Sequence, residues 1–179
     1  MDLPIELQPT TTKDVSLPSG IIRQLPVCNP VFAEWVGERP SFDFGHKPFL
    51  KHDGEACFAE LVILRLLLKQ GWKGVWVESF AGPYYLNDMP KDWKTRPQRV
   101  LIPEDKEKIL KDIWRTGRTR ACFDVFAWTD SQSPQFLFCE AKDYRNRDKF
   151  TRGQLRFIDA ALTIGISPQS LLIVEWISV

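Results

Sequence analysis

Two apolar runs decide the reading of this chain, Cys122-Phe123-Asp124-Val125-Phe126-Ala127-Trp128 and Phe136-Leu137-Phe138-Cys139-Glu140-Ala141-Lys142. Both are short, aromatic and branched, and Thr129-Asp130-Ser131-Gln132-Ser133-Pro134 separates them with turn-forming residues. The pattern predicts an antiparallel hairpin. Side chains alternate along a strand, so Glu140 and Lys142 share one face, about 7 Å apart along it. Asp124 falls mid-strand on the partner, where an unpaired carboxylate is costly to bury. Two carboxylates and an ammonium at one end of a sheet suit a hard divalent cation with a charged group beside it. The plainer alternative is a buried Asp124–Lys142 or Glu140–Lys142 ion pair that merely ties the hairpin together. It does not explain why acidic residues cluster on three elements at once.

The third acidic residue comes from the segment before the hairpin. A helix is predicted over residues 53–70, with Asp53 as N-cap and Gly71 as its stop. Cys57, Glu60, Leu61, Leu64 and Leu67 recur on one side at helical spacing, which puts Glu60 on or beside the apolar face. There it needs a cation or a metal, or, as a boundary residue, an arginine or solvent. Residues 74–80 read as a strand, followed by a Gly-Pro turn and Tyr84-Tyr85-Leu86. Glu78 is a further acidic candidate, with a strand-end charge as its simpler reading. Residues 87–120 read as an insertion: a loop with Lys91, Lys94, Arg96 and Arg99, then a charged helix over 104–115 with a solvated face.

After Lys142 a second apolar-faced helix is predicted over 151–162, carrying Gln154 in its first turn. Residues 171–177, Leu-Leu-Ile-Val-Glu-Trp-Ile, read as a buried central strand. The order is helix, strand, strand, strand, helix, strand.

Asp124, then Glu140-Ala141-Lys142, then a helix bearing Gln154, resembles the PD-(D/E)XK nuclease superfamily. The run FDVFAW…FLFCEAKDYRNRDKFTRGQLRFIDAAL looks most like its VRR-NUC branch, over residues 54–176. The resemblance implies an α/β fold with a restriction endonuclease-like core, α-β-β-β-α-β, in which a mixed central sheet is flanked by helices. It implies a nuclease-like domain over 51–179. Residues 1–50, with seven prolines and no sustained period, read as a Pro-rich extended arm or set of loops packed on the core, with a short strand at 20–25. Asp124, Glu140 and the Ala141 carbonyl would hold Mg2+, with Mn2+ as a substitute, and Glu60 matches a first-helix glutamate that assists. Lys142 would orient or polarise the attacking water, with Gln154 bonding the water, the lysine or a phosphate. Phe123 stands where the family has a proline, and the segment between Lys142 and Gln154 is longer and lacks the family's Gly-Pro.

Composition sets the outer bounds. A chain of 179 residues, 44% hydrophobic and 26% charged, suits one globular domain. The net charge of +1 is no global nucleic-acid signature, but it is unevenly placed. Residues 1–60 hold five Lys/Arg against nine Asp/Glu, so the remainder is basic. Lys142, Arg145, Arg147, Lys149, Arg152 and Arg156 face only Asp143 and Asp148, with Tyr144 and Phe150 interleaved as stacking groups. Arg118 and Arg120 lie just ahead of Asp124. The four cysteines are far apart and two histidines accompany them, which argues against structural zinc. No signal peptide or spanning segment is read from the sequence, so a soluble cytoplasmic protein is expected. With no G-x-x-x-x-G-K-[ST] loop, an ATP-driven step would need an accessory partner.

The expectation is a metal-dependent nuclease acting on DNA. Its rival is a catalytically inactive nuclease-fold module that binds nucleic acid or a protein. An inert assembly subunit is the third reading, favoured if residues 1–50 form a dimer interface. Cutting both strands of a duplex would favour a homodimer.

Overall fold

The computed structural model describes residues 2–40, 47–79, 83–89, 99–131 and 135–179. Lys91, Lys94, Arg96 and the Gly82-Pro83 turn lie wholly or partly outside the described residues. In chain order the elements are β1 (Thr11–Ser16), β2 (Ile22–Cys28), β3 (Val31–Phe32), β4 (Leu50–His52), β5 (Glu55–Cys57) and α1 (Ala59–Lys69). These are followed by β6 (Lys73–Glu78), β7 (Tyr84–Leu86), α2 (Glu104–Gly117), β8 (Val125–Trp128), β9 (Phe136–Asp143), α3 (Arg152–Thr163) and β10 (Leu171–Ser178).

One mixed sheet carries the fold, in the order β1-β2-β10-β9-β8-β6-β7, with β3 pairing the far end of β10. The β8–β9 pair is the antiparallel hairpin expected from the sequence, with Val125 opposite Cys139 and Trp128 opposite Phe136. β10 runs parallel to both β9 and β2, so it is buried between strands as its continuous apolar run requires.

Period-two alternation then assigns each face a helix layer. Leu137 and Cys139 of β9 join α1 residues such as Leu61 and Leu64 in one core. Phe138 turns the other way, into a second core with Phe157 and Ile158 of α3 and Leu110 and Ile113 of α2. Phe126 and Phe138 stack across the hairpin, ring centroids 4.6 Å apart. Each such fully buried ring contributes about 2–3 kcal/mol of transfer free energy.

Four expectations are corrected. Residues 11–28 are more than an arm with one short strand at 20–25: β1 and β2 form a hairpin that joins the sheet alongside β10. Pro26 brings no N–H, and the β2–β10 pairing is confined to Val27 and Cys28. The first helix begins at Ala59 rather than near Asp53, because Asp53 (φ 51°) and Gly54 (φ 82°) form the two-residue turn between β4 and β5. Both residues have positive φ, the geometry that suits an Asp-Gly hairpin turn. The charged helix is more than a solvated surface, since Leu110 and Ile113 are fully buried against α3. Finally, Asp124 does not sit mid-strand but immediately precedes β8.

Candidate functional site

The position of Asp124 at a strand start gives the site its geometry. Its carbonyl accepts from Val77 N–H at 2.8 Å, which anchors the backbone to β6. Its carboxylate crosses to β9, where Oδ2 accepts from Ala141 N–H at 2.8 Å. This places Asp124 just beyond the last β8–β9 pair, where the two strands part. The N–H and C=O of a strand residue point to the same side, so the Ala141 carbonyl also faces this gap.

Glu140 and Lys142 share the α3 face of β9, and both are buried, at 2% and 5% exposure. Lys142 Nζ donates to Glu140 Oε1 at 2.9 Å, to the Lys149 carbonyl at 3.2 Å and to Gln154 Oε1 at 3.3 Å. Asp148 Oδ2 stands 3.5 Å from the same ammonium. Gln154 Nε2 also donates to Glu140 Oε1. One oxygen of Glu140 therefore takes two donors, while Oε2 is buried and has no hydrogen-bond partner among the described residues. A buried carboxylate oxygen without a donor is costly unless a cation completes it.

Gln154 is placed by local helix chemistry. Thr151 is the N-cap of α3: its Oγ1 accepts from Gln154 N–H at 3.2 Å, and Gln154 Oε1 accepts from Thr151 N–H at 2.9 Å. This capping box fixes the side chain, so its amide arrives at Glu140 already oriented. Gln154 is thus no idle exposed helical residue.

Electrostatics at the site favour an added positive charge. Burial pushes the Glu140 carboxyl up to about 7, against the pull of Lys142. Burial, then the neighbouring Glu140 and Glu60, raise Asp124 well above the usual carboxylate range. Burial opposes the charge on Lys142, but Glu140, then Asp148 and Asp124, outweigh it and hold the ammonium above its ordinary value. Two crowded carboxylates that resist ionisation are what a divalent ion relieves.

Glu60, 6% exposed at the start of α1, faces the same cleft. Its partner is Lys47, whose Nζ lies 2.5 Å from Oε1. The cleft has a volume of about 470 Å³ and is lined by Lys47, Glu60, Asp124, Glu140, Ala141, Lys142 and Gln154, among others. All six residues expected to form the metal and catalytic set therefore converge on it. Among the described residues no group of three or more His, Cys, Asp or Glu side chains is placed to hold a metal. The donors that fit magnesium here are two carboxylates and a carbonyl, and magnesium ordinarily keeps several waters.

The basic residues divide. Arg145, Arg147 and Lys149 line a groove of about 590 Å³ with Lys13, Tyr144 and Glu175, adjoining the cleft through Lys142, Asp143 and Asp148. Arg145 is partly committed, because its guanidinium donates to the Ser178 carbonyl at 2.5 Å. Arg152 is exposed at the first turn of α3, and Arg118 and Arg120 are exposed on the segment leading to Asp124.

Lys47 and Lys13 were not picked out from the sequence, and Asp148 was noted there only as a counter-charge in the basic run. Lys47 lies in a proline-rich stretch thirteen residues before Glu60, and nothing in that spacing announces the pair. Lys13 reaches the groove only because β1 and β2 add to the sheet beside β10, where it pairs with Glu175.

No family model, curated protein or solved structure matches this chain. No helix among the described residues is long and apolar enough to cross a membrane.

Proposed function

We propose that the protein is a metal-dependent nuclease of the PD-(D/E)XK type, most similar to the VRR-NUC branch, hydrolysing phosphodiester bonds of DNA. One observation carries this reading. Glu140 is held through a single oxygen by Lys142 and Gln154, which leaves Oε2 buried and without a donor among the described residues, in a cleft that Asp124 and Ala141 also line. A purely structural ion pair gains from satisfying both oxygens. With β7 and α2 set aside, α1, β6, β8, β9, α3 and β10 run helix, strand, strand, strand, helix, strand, and this order supports the reading.

Asp124 Oδ2 and Glu140 Oε1 are oriented by protein donors, so little reorganisation is left for a metal to impose. Asp124, Glu140 and the Ala141 carbonyl would hold magnesium, or manganese in its place, which would supply Lewis acidity and neutralise charge at the phosphate. Lys142 lines both the cleft and the basic groove. It reaches a water or a phosphate oxygen by exchanging its longer bonds to Lys149 and Gln154, while its bond to Glu140 keeps it in place. Gln154 positions Glu140 rather than touching the reactants. The groove residues Arg147 and Lys149 hold backbone phosphates on the way in.

A second reading rests on the same contacts. Each Lys142 donor already has a protein acceptor, so the constellation also suits a catalytically silent module that binds nucleic acid along the groove.

The deciding experiment is cleavage of labelled single-stranded, duplex and branched DNA with magnesium, manganese or EDTA, for wild type beside Glu140→Ala. Metal-dependent cutting that disappears in the variant supports the nuclease. Salt-sensitive binding by both proteins without any cutting favours the binding module.

A further inference from the structure

The pairing of Glu60 with Lys47 gives the acidic cleft two ammonium groups among the described residues, Lys47 and Lys142. Lys142 comes from β9 and faces α3, whereas Lys47 precedes β4 and faces α1. Lys47 Nζ sits 2.5 Å from Glu60 Oε1 and 5.8 Å from the centre of the Phe58 ring. Ring and carboxylate together define a compact cation seat at the mouth of α1. Burial works against the charge on Lys47, but Glu60 and then Asp124 and Glu78 outweigh it, so the ammonium is held protonated above its ordinary range. The same Glu60 charge also reaches Asp124 and Glu140. Without Lys47, the cleft would set Glu60 against Asp124 and Glu140 with Lys142 as the one remaining cation among the described lining residues.

We infer that the Lys47 ammonium takes the place of a second cation, so that the cleft accepts one divalent ion, on Asp124 and Glu140, and Glu60 serves Lys47 rather than the metal. The inference rests on the metal-dependent reading above and adds a stoichiometry to it. Two features set the assignment. The oxygen without a partner among the described residues belongs to Glu140, whose other oxygen is held by Lys142 and Gln154 and not by Lys47. The Glu60 carboxylate, by contrast, already has a short charge-assisted contact. A lysine is the economical choice for such a seat, because it supplies one charge without open coordination positions. It also leaves the site with fixed charge whether or not metal is abundant.

The test counts manganese ions bound to the free protein, by calorimetry and by electron paramagnetic resonance of the unbound ion. Wild type and Lys47→Arg should each bind about one ion per chain, and Lys47→Met should bind about two, the added ion being the weaker. The double variant Lys47→Met with Glu60→Gln should return to about one, since the freed carboxylate is gone. One ion in a folded Lys47→Met protein overturns the inference and leaves the nuclease reading standing; two ions in wild type do the same. No ion in wild type removes the metal-dependent reading itself. Should Lys47→Met fail to fold, Glu60→Gln alone decides: retention of the single ion at unchanged affinity supports the inference, and loss of that ion sinks it.

Discussion

Gln154 Nε2 donates to Glu140 Oε1 while Gln154 Oε1 accepts from Thr151 N–H, so one side chain both closes the first turn of α3 and aims the carboxylate of β9. The helix cap and the candidate metal ligand are thereby one hydrogen-bonded unit. A change in either half of the unit should separate stability from chemistry.

Thr151→Ala removes only the cap. It should cost about 1 kcal/mol in denaturant unfolding and leave magnesium affinity unchanged. Gln154→Ala should cost a similar amount and also weaken magnesium binding about 10- to 100-fold, as losing a partner that orients a ligand does. Calorimetric titration of both variants checks this. Equal magnesium affinity in the two would show that Gln154 is only a cap.

Asp124→Asn keeps an acceptor for the Ala141 N–H but removes the charge, so the hairpin should persist while magnesium binding and cleavage fall together. Lys142→Met should lower cleavage about 100-fold or more, by removing the group that meets developing charge. Its Glu140 partner is fully buried, and taking away the cation should cost up to about 3 kcal/mol of stability. Cleavage is therefore compared at a temperature where both variants are folded by circular dichroism. Wild-type rates in folded Lys142→Met protein would rule the lysine out of the reaction.

Arg147 and Lys149 are exposed in the groove beside the cleft, and neither has a protein acceptor to lose among the described contacts of its side chain. Replacing each with alanine should weaken DNA binding and lower the slope of log affinity against log salt by about one per residue. Arg145→Ala should behave differently, because its bond to the Ser178 carbonyl ties the β9 turn to the end of β10. It should lower the melting temperature as well as the affinity. Titrations at several salt concentrations, paired with thermal melts, separate the two patterns.

The parts of this fold that were legible in the sequence are those where one local signal suffices. The aromatic and branched runs at β8 and β9, the apolar run of β10 and the Thr151 start of α3 each occur with their signal intact. Asp53-Gly54 carried a competing signal: an aspartate before an apolar stretch suits a helix N-cap, but followed by glycine it suits a tight hairpin turn, and the turn prevailed. Of the first hairpin only a short strand at 20–25 was legible, because the prolines at 18, 26 and 30 hid β1 and the end of β2, although pairing with β1 and β10 tolerates Pro26. Asp124, Glu140, Lys142 and Gln154 could be named because they lie within or beside readable elements. Lys47 could not, since its role depends on where the chain returns to α1 and not on any neighbour in sequence.

Arg118 ties the last prediction to both stability and binding. It ends α2 in the left-handed region, at φ 46° and ψ 47°, a position where a residue with a Cβ is strained and glycine is not. Arg147, which lines the groove, has the same kind of backbone, at φ 50°. Strain kept at an exposed arginine is explained if the guanidinium has a use that glycine would forfeit. Arg118→Gly should therefore raise stability by up to about 1 kcal/mol, relief of strain being offset in part by the freer unfolded chain. The same variant should bind DNA more weakly and with a shallower salt slope. Thermal melts and binding titrations on one preparation read both quantities. Higher stability with unchanged binding would take Arg118 out of the nucleic-acid interface and leave its αL backbone as a local consequence of how α2 turns toward Asp124.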